Sequence, residues 1–479
     1  MNIFKKSFKL ILLIIVFLSF SQTASAATLT GGNTVISRPE PGSRTDFTLV
    51  DQNHPISNNG KVSQVSFYTI NANKVQLKII RKTGVDYTVI GQSGLMTPNI
   101  INGVNTFIVD PPISTNKGDL VGFYFETTPS IPFTLDNPPY LRGDLLGIVL
   151  FTNSGENPQP GEIVGFDDSS SRTYSISVSG TAEYRVDEDM IDCPTADYDK
   201  IQKAVNNLPA GETIYVCKGT YKEAIKINKK DLTIVSTDGA NVTTVKAKSS
   251  DSTKFAFRLQ KSGITIKGFT ITDADGPVGA SAIVIEANNA TINNNIFDNN
   301  NYGIYSSGSN NTKITGNVFQ KGVNIGGVGA VISLVGSANE ISGNQFQDND
   351  TEGVVLGSLA VISKNNNINN NSIVGSGIVL IKSNSNNIAS NLIKNSISDG
   401  ILLSQTSGQN TVKTNSISGA KRDGIRAEAD TQKNTIQNNM IKNNSAYDAH
   451  DLTSNKKAKV KNTWKFNMCS TSSPSGLCF

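Results

Sequence analysis

From about residue 282 the chain repeats one arrangement of apolar and polar positions: an apolar residue, two others, then Asn. It occurs as Ile292 with Asn295, Ile314 with Asn317, Ile341 with Asn344, Ile362 with Asn365, Ile388 with Asn391, Val412 with Asn415, and Ile436 with Asn439. Asn295 to Asn439 is 144 residues in six steps, a mean of 24. A second marker keeps pace with the first. Gly or Ala precedes a β-branched residue at Ala282-Ile283, Gly303-Ile304, Ala330-Val331, Gly353-Val354, Gly377-Ile378, Gly400-Ile401 and Gly424-Ile425. Each repeat offers three short strand-like pieces, for example Ile378 to Ile381, Asn387 to Ala389, and Leu392-Ile393. Upstream, Asp197 to Leu208 places Tyr198, Ile201, Val205 and Leu208 on one side of a predicted helix.

No single repeat can bury its apolar side. Stacking repeats at about 4.8 Å pairs their backbones into parallel sheets and lines a continuous core. Asn at one turn of every coil can then stack, each amide bonding to those above and below. The segments are too short and too rich in Asn, Gly and Ile for helical repeats. The Leu-x-x-Leu-x-Leu pattern of a leucine-rich horseshoe is missing. The predicted helix reads as a lid on the first coil, and Asn462-Thr463-Trp464 leads into a closing segment at the far end.

Four features then carry a resemblance: the lid helix, the coil start Gly219-Thr220-Tyr221, the stretch Gly263 to Ile271, and the Asn ladder. Together with an ending that runs from Trp464 through Cys469 to Pro474-Ser475-Gly476-Leu477-Cys478, they resemble the right-handed parallel β-helix repeat family. That family includes pectate-lyase-like proteins and the repeat proteins of nitrous oxide reductase maturation; the ending is similar to that of secreted bacterial members. The resemblance covers about 190–479. It implies the fold and leaves activity open, since the fold carries lyases, hydrolases, epimerases, adhesins and inert scaffolds.

Residues 27–183 lack the repeat. Val65-Ser66-Phe67 and Val75 to Ile79 alternate, Leu120 to Phe125 is apolar on both faces, and Pro- and Gly-rich turns separate such runs. This spacing predicts a β-sandwich, jelly-roll-like domain. The expected fold class is therefore all-β, a right-handed parallel β-helix solenoid of nine or ten coils preceded by a β-sandwich. The expected boundaries are a sandwich at 27–183, a linker at 184–191, and a capped solenoid at 192–479.

The first 26 residues read as an export signal. Lys5, Lys6 and Lys9 precede an apolar run from Leu10 to Phe20, and Ala24-Ser25-Ala26 fits a cleavage site. The run is shorter than the ~20 residues a membrane span needs. A secreted, extracellular or cell-surface protein is expected, with no membrane span in the mature chain. Beyond the signal, 40 basic side chains face 39 acidic ones, which leaves no electrostatic footprint for nucleic acid. Four Cys suit an oxidising destination. They allow three connectivities. The local pairing, Cys193 with Cys217 and Cys469 with Cys478, is favoured because each pair flanks one end of the repeats.

Alternation within the first strand of each coil assigns an outward series: Val284, Tyr305, Ile332, Val355, Val379, Leu402 and Arg426. Such an apolar stripe calls for a cover, and a second copy of the chain is one candidate. Acidic side chains gather in the loops beside it. Asp350, Glu352, Asp399, Asp423 and Arg426 form the candidate catalytic set, with Arg422 and Tyr305 as candidate substrate-binding residues. Carboxylates there can act as acid and base or hold Ca²⁺, and an arginine can meet the carboxylate of an acidic sugar. Ca²⁺ is the one candidate ion, and its ligands are not assigned. His450 beside Asp451 reads as a surface histidine near the terminus. With two His and five Met, a copper site is not expected. The function expected by analogy is recognition of a polysaccharide or cell-surface glycan, with polysaccharide lyase or epimerase activity. The rival is a non-enzymatic surface protein that associates through the stripe.

Overall fold

The computed structural model describes residues 28–135, 148–250, 253–276, 279–324, 330–455 and 461–479. The export-signal segment lies outside the described residues. Among the described residues no helix is long and apolar enough to cross a membrane.

The first unit is two antiparallel sheets packed face to face. One has four strands, Thr28–Gly32, Ile176–Ala182, Gly60–Thr69 and Gly103–Thr115 in spatial order. The other has seven and is centred on Val75–Thr83, Leu120–Phe125 and Phe47–Asp51. Leu29, Val65, Phe67 and Val178 of the first sheet share a core with Leu49, Leu77, Phe123 and Phe151 of the second. Leu120–Phe125 is buried on both faces because Leu120 joins a second small cluster with Val50, Ile80, Val89 and Val164 behind the sheet.

Residues 184–191 are not simply a linker. Tyr184–Val186 forms a strand that pairs in parallel with Thr213–Val216 and is the first rung of the solenoid. The side chain of buried Asn59 bonds to the Thr195 carbonyl and to Asp197, tying the sandwich to this entry segment.

The solenoid has about ten right-handed coils. One face is a parallel sheet of twelve strands from Tyr184–Val186 to Thr463–Lys465, and two further faces carry the remaining strands. Side chains one coil apart fall into columns. Ile266, Ile292, Ile314, Ile341, Ile368, Ile388, Val412 and Ile436 pair rung by rung. In a second column Phe297, Phe319 and Phe346 stack their rings at 4.5 and 4.9 Å. The lid helix is shorter than expected, Ile201–Asn207, and buries Ile201, Ala204 and Val205 on the first coil. Its first N–H groups, those of Ile201 and Gln202, are accepted by the Glu223 carboxylate at 2.9 Å. Cys193–Cys217 and Cys469–Cys478 are both bonded, one at each end.

The Asn ladder runs through Asn295, Asn317, Asn344, Asn371, Asn391, Asn415, Asn439 and Asn467, each amide donating to the next at 2.9–3.2 Å. Asn365 is not a rung. It is an exposed turn residue, and Ile362 beside it is 48% exposed. The motif occurs twice in that coil, and the copy that packs is Ile368 with Asn371. A second ladder of Asn366, Asn386, Asn410, Asn434 and Asn462 runs in parallel and was not expected. Left-handed backbone falls on the residue before each rung of the first ladder rather than on the rung, for example Gly343 (φ 64°) and Thr414 (φ 53°). The Gly marker has a different cause. A Cβ on Gly424 would lie 2.2 Å from Ile441 and 2.6 Å from the Asp448 carbonyl of the next coil.

Candidate functional site

The outward column differs from the expected series at one position. Ile304 pairs with Ile332 and Tyr305 with Ser333, so Ile332 points inward, fully buried, and Ser333 points out. The Ala330-Val331 marker led to a register one residue early, and a slip of one residue in a strand exchanges its faces. The column reads Arg258, Val284, Tyr305, Ser333, Val355, Val379, Leu402, Arg426, His450. Its aliphatic members are half-buried, so the apolar stripe is shorter and less exposed than alternation alone implied.

Glu352, Asp399 and Asp423 each stand two residues before the first inward residue of their strands, Val354, Ile401 and Ile425. They share one column, with Ser376 on the intervening coil. Asp399 and Asp423 are one coil apart, about 5 Å of rise, and Glu352 is two coils, about 10 Å, from Asp399. Each carboxylate is anchored by a backbone N–H of the following coil. Gly377 donates to Glu352, Asp423 to Asp399 at 3.0 Å, and Tyr447 to Asp423 at 3.0 Å. The second oxygen of each is the chemically interesting one. Among the described residues, Glu352 Oε2 and Asp399 Oδ2 are buried without a hydrogen-bond partner. Arg422 approaches Asp399 Oδ2 at 3.5 Å. Asp423 Oδ2 meets Arg426 at 3.3 Å and His450 Nδ1 at 2.8 Å.

Burial, and after it the neighbouring Asp399, pushes the Glu352 carboxyl above the usual carboxylate range. Burial also pushes Asp399 up, and it outweighs the bond from the Asp423 N–H and the attraction of Arg422 and Arg426. The column thus holds two carboxyls whose hold on a proton is strengthened by burial, next to a third, Asp423, held between Arg426 and His450.

Asp350 is not brought into this cluster. It is exposed, and its backbone N–H bonds to the Gly322 carbonyl. Tyr305 lies in the outward column but five coils from Arg426, about 24 Å away, and packs edge-on against Tyr302 at 5.6 Å. His450 is the residue that sequence reasoning misplaced. Its partner is Asp423 of the preceding coil rather than adjacent Asp451, whose carboxylate accepts from Trp464 Nε1 and Thr453 in the end cap. Its side chain is 14% exposed and packs against the Tyr447 ring at 4.9 Å. The signal was present: continuing the outward column one coil beyond Arg426 lands on His450.

Among the described residues no three His, Cys, Asp or Glu side chains converge as a metal cage. The column is a poor Ca²⁺ site on its own chemistry. Each carboxylate has one oxygen committed to an N–H, and Asp423 has the other facing an arginine and an imidazole, whereas Ca²⁺ takes six to eight oxygens.

Residues 255–417 and 320–465 match the family described as right handed beta helix region. The solenoid of this chain belongs to the right-handed parallel β-helix repeat family. No curated protein matches the chain in sequence. Among solved structures the chain is similar to the A-module of a mannuronan C-5 epimerase from Azotobacter vinelandii, at 15% identity over 57% of this chain and 82% of that one, with a TM-score of 0.34. It is similar to a pectate lyase at 13% identity over 62% and 81%, TM-score 0.38. It is also similar to the catalytic domain of an alpha-1,3-glucanase in complex with nigerose, at 12% identity over 90% and 99%, TM-score 0.35. These likenesses are distant and concern the fold alone.

Proposed function

We propose that the protein is an extracellular enzyme acting on a polysaccharide that contains uronic acid residues, and that its reaction begins with removal of the C5 proton, α to the sugar carboxylate. The observation that carries this reading is the 2.8 Å contact of Asp423 with His450 Nδ1, with Arg426 on the same carboxylate oxygen. A carboxylate on Nδ1 fixes that nitrogen as the donor and leaves Nε2 as the base. Abstracting a proton beside a carboxylate builds negative charge on its oxygens, and Arg426 and Arg422 are the cations at hand to balance it. Elimination then breaks the C4–O4 bond, forms the C4–C5 double bond and delivers a proton to the departing oxygen. Asp399, one coil from Asp423 and with its carboxyl pushed above the usual range by burial, supplies that proton. Epimerisation instead returns a proton to C5 from the opposite side. The two disulfides suit an oxidising compartment.

The reaction is tested by incubating the protein with a panel of uronic acid polymers. Elimination is followed by the absorbance of unsaturated ends, and exchange at C5 by proton NMR in deuterated water. Product formation that His450→Ala and Asp423→Asn both abolish is expected. A flat trace in both assays across the panel overturns the proposal. The non-enzymatic rival needs a broad apolar contact face, and the outward column offers only half-buried aliphatics interrupted by Ser333.

A further inference from the structure

A second, separate site lies in the sandwich. At the margin of the seven-stranded sheet, the strand Asp168–Tyr174 pairs with Ile148–Phe151 on one side and Phe133–Leu135 on the other. Asp168, Arg172 and Tyr174 project from one face of it, since alternate residues share a face. The segment from Pro41 to Arg44 and Pro129 complete a recess of about 110 Å³, several times the room one water needs.

Two guanidinium groups stand in this recess over aromatic rings. Arg172 lies 4.4 Å from the Phe133 centroid and 5.0 Å from that of Phe151. Arg44 lies 5.5 Å from Phe47 and 5.8 Å from Phe151. The negative charge they meet is small. Asp168, itself 65% exposed, reaches Arg44 at 3.6 Å. Among the described residues the one hydrogen bond of Arg172 is a long one, to the Tyr174 hydroxyl at 3.5 Å, and its Nε is buried with no partner. A buried guanidinium nitrogen without an acceptor costs free energy until an acceptor arrives.

We infer that this recess binds the carboxylate of an acidic sugar, a uronic acid residue, with Arg172 and Arg44 as the anion-binding pair. Arg44 gives one N–H to the Thr152 carbonyl; the remaining planar N–H donors of the two guanidinium groups match the oxygens of a carboxylate. The choice of uronic acid rests on the proposed reaction; the geometry of the recess does not. The sandwich would then hold the same polymer that the solenoid processes, raising its effective concentration at the column.

Calorimetry on the full chain, in an Arg426→Gln background that removes a solenoid cation, tests this with trigalacturonate, its methyl ester and inorganic phosphate. Trigalacturonate is expected to bind, the ester at least tenfold more weakly, and phosphate more weakly still. Arg172→Gln should weaken trigalacturonate at least tenfold. Asp168→Asn, an exposed change that does not threaten the fold, should tighten it severalfold by releasing Arg44. No binding by the unmodified recess, equal binding of the ester, phosphate binding as tight as trigalacturonate, or indifference to both substitutions would each overturn the inference. Failure here with C5 chemistry intact removes the recess alone. Binding without C5 chemistry removes the proposed reaction alone.

Discussion

Replacing Asn391 by Leu is the sharpest test of how the solenoid is held. Asn391 is buried in the middle of the first ladder. Its Oδ1 accepts from the Asn371 backbone N–H at 3.1 Å and from Asn371 Nδ2 at 3.0 Å, and its Nδ2 donates to the Ile368 carbonyl at 2.9 Å and to Asn415 Oδ1 at 3.0 Å. Leu has a similar outline and none of these atoms. Two buried donors of Asn371 lose their acceptor, and each orphaned group costs about 1–3 kcal/mol, so the change should cost about 2–6 kcal/mol. The loss should be local, because in a solenoid each coil contacts its neighbours only. Amide hydrogen exchange reads it directly. The Asn371 N–H should exchange about 25-fold faster or more, since 1.4 kcal/mol is a factor of ten. Amides near Ile214, many coils away, should hold their rates. An acceleration of Asn371 below about threefold would refute the claim that the ladder bonds stabilise the fold; equal acceleration everywhere would refute the claim of local coupling.

Other consequences can be checked alongside. Glu352 and Asp399 titrate above their ordinary range in the folded chain, so the stability they contribute is complete below about pH 4 and is lost as pH rises through their native values. Glu352→Gln should flatten part of that decline, seen as a melting-temperature difference from the parent that grows in favour of the variant between pH 4 and 8; a pH-independent difference contradicts the burial argument. Thr414 holds a β-branched side chain at φ 53°, and Thr414→Asn should raise stability by about 1 kcal/mol by thermal melting, with no gain counting against strain at that turn. A chelator should leave any C5 exchange activity unchanged; loss restored by Ca²⁺ would show that a cation completes the column. Reduction of the two disulfides should loosen the lid and the last coil before the middle coils, and uniform loss of exchange protection would contradict the view of them as end staples.

Most of the fold was legible because the repeat writes the same physics many times. A position that is apolar in coil after coil must face the shared core, and an Asn recurring beside it must meet its copies. Errors entered where the signal was given once or given twice. In the coil after Phe346 both Ile362 and Ile368 have Asn three residues on, and only depth in the core distinguishes them. At Ala330-Val331-Ile332 two adjacent β-branched residues fit the marker, and only pairing with Ile304 selects Ile332. The second ladder lies five residues before the first in the coils from Asn366 to Asn462, while the coils of Asn295 and Asn317 carry Ala290 and Thr312 at that position. The site was legible in its acidic members, which follow the strand starts, and in Arg422 and Arg426. Asp350 was swept in by proximity in sequence. His450 was passed over as a surface histidine near the terminus beside Asp451, whereas in a solenoid the neighbour that matters is about a coil away.

That rule also explains how a scaffold of this kind comes to hold reactive groups. In the Asn ladders the side-chain oxygen accepts the backbone N–H of the preceding coil's rung, and the amide nitrogen donates onward to the next rung. At the strand starts acids make a construction of opposite polarity: Glu352, Asp399 and Asp423 each accept an N–H of the next coil, whereas a rung accepts from the coil before it. A carboxylate has no amide hydrogen to give, so its second oxygen is left over. It is fixed in place by the bond the first oxygen makes, and it repeats at the pitch of the stack. Burial then decides what each one becomes. Among the described residues Glu352 Oε2 is left without a partner, Asp399 Oδ2 has only the Arg422 ion pair at 3.5 Å, and Asp423 Oδ2 meets both Arg426 and His450. Asp423→Asn tests the left-over oxygen alone: it should keep the N–H bond from Tyr447 and an unfolding free energy within about 1 kcal/mol of the parent, yet lose the orienting contact to His450 and the C5 exchange that depends on it. A variant that unfolds, or one that keeps full activity, would show that the acid is there for another reason.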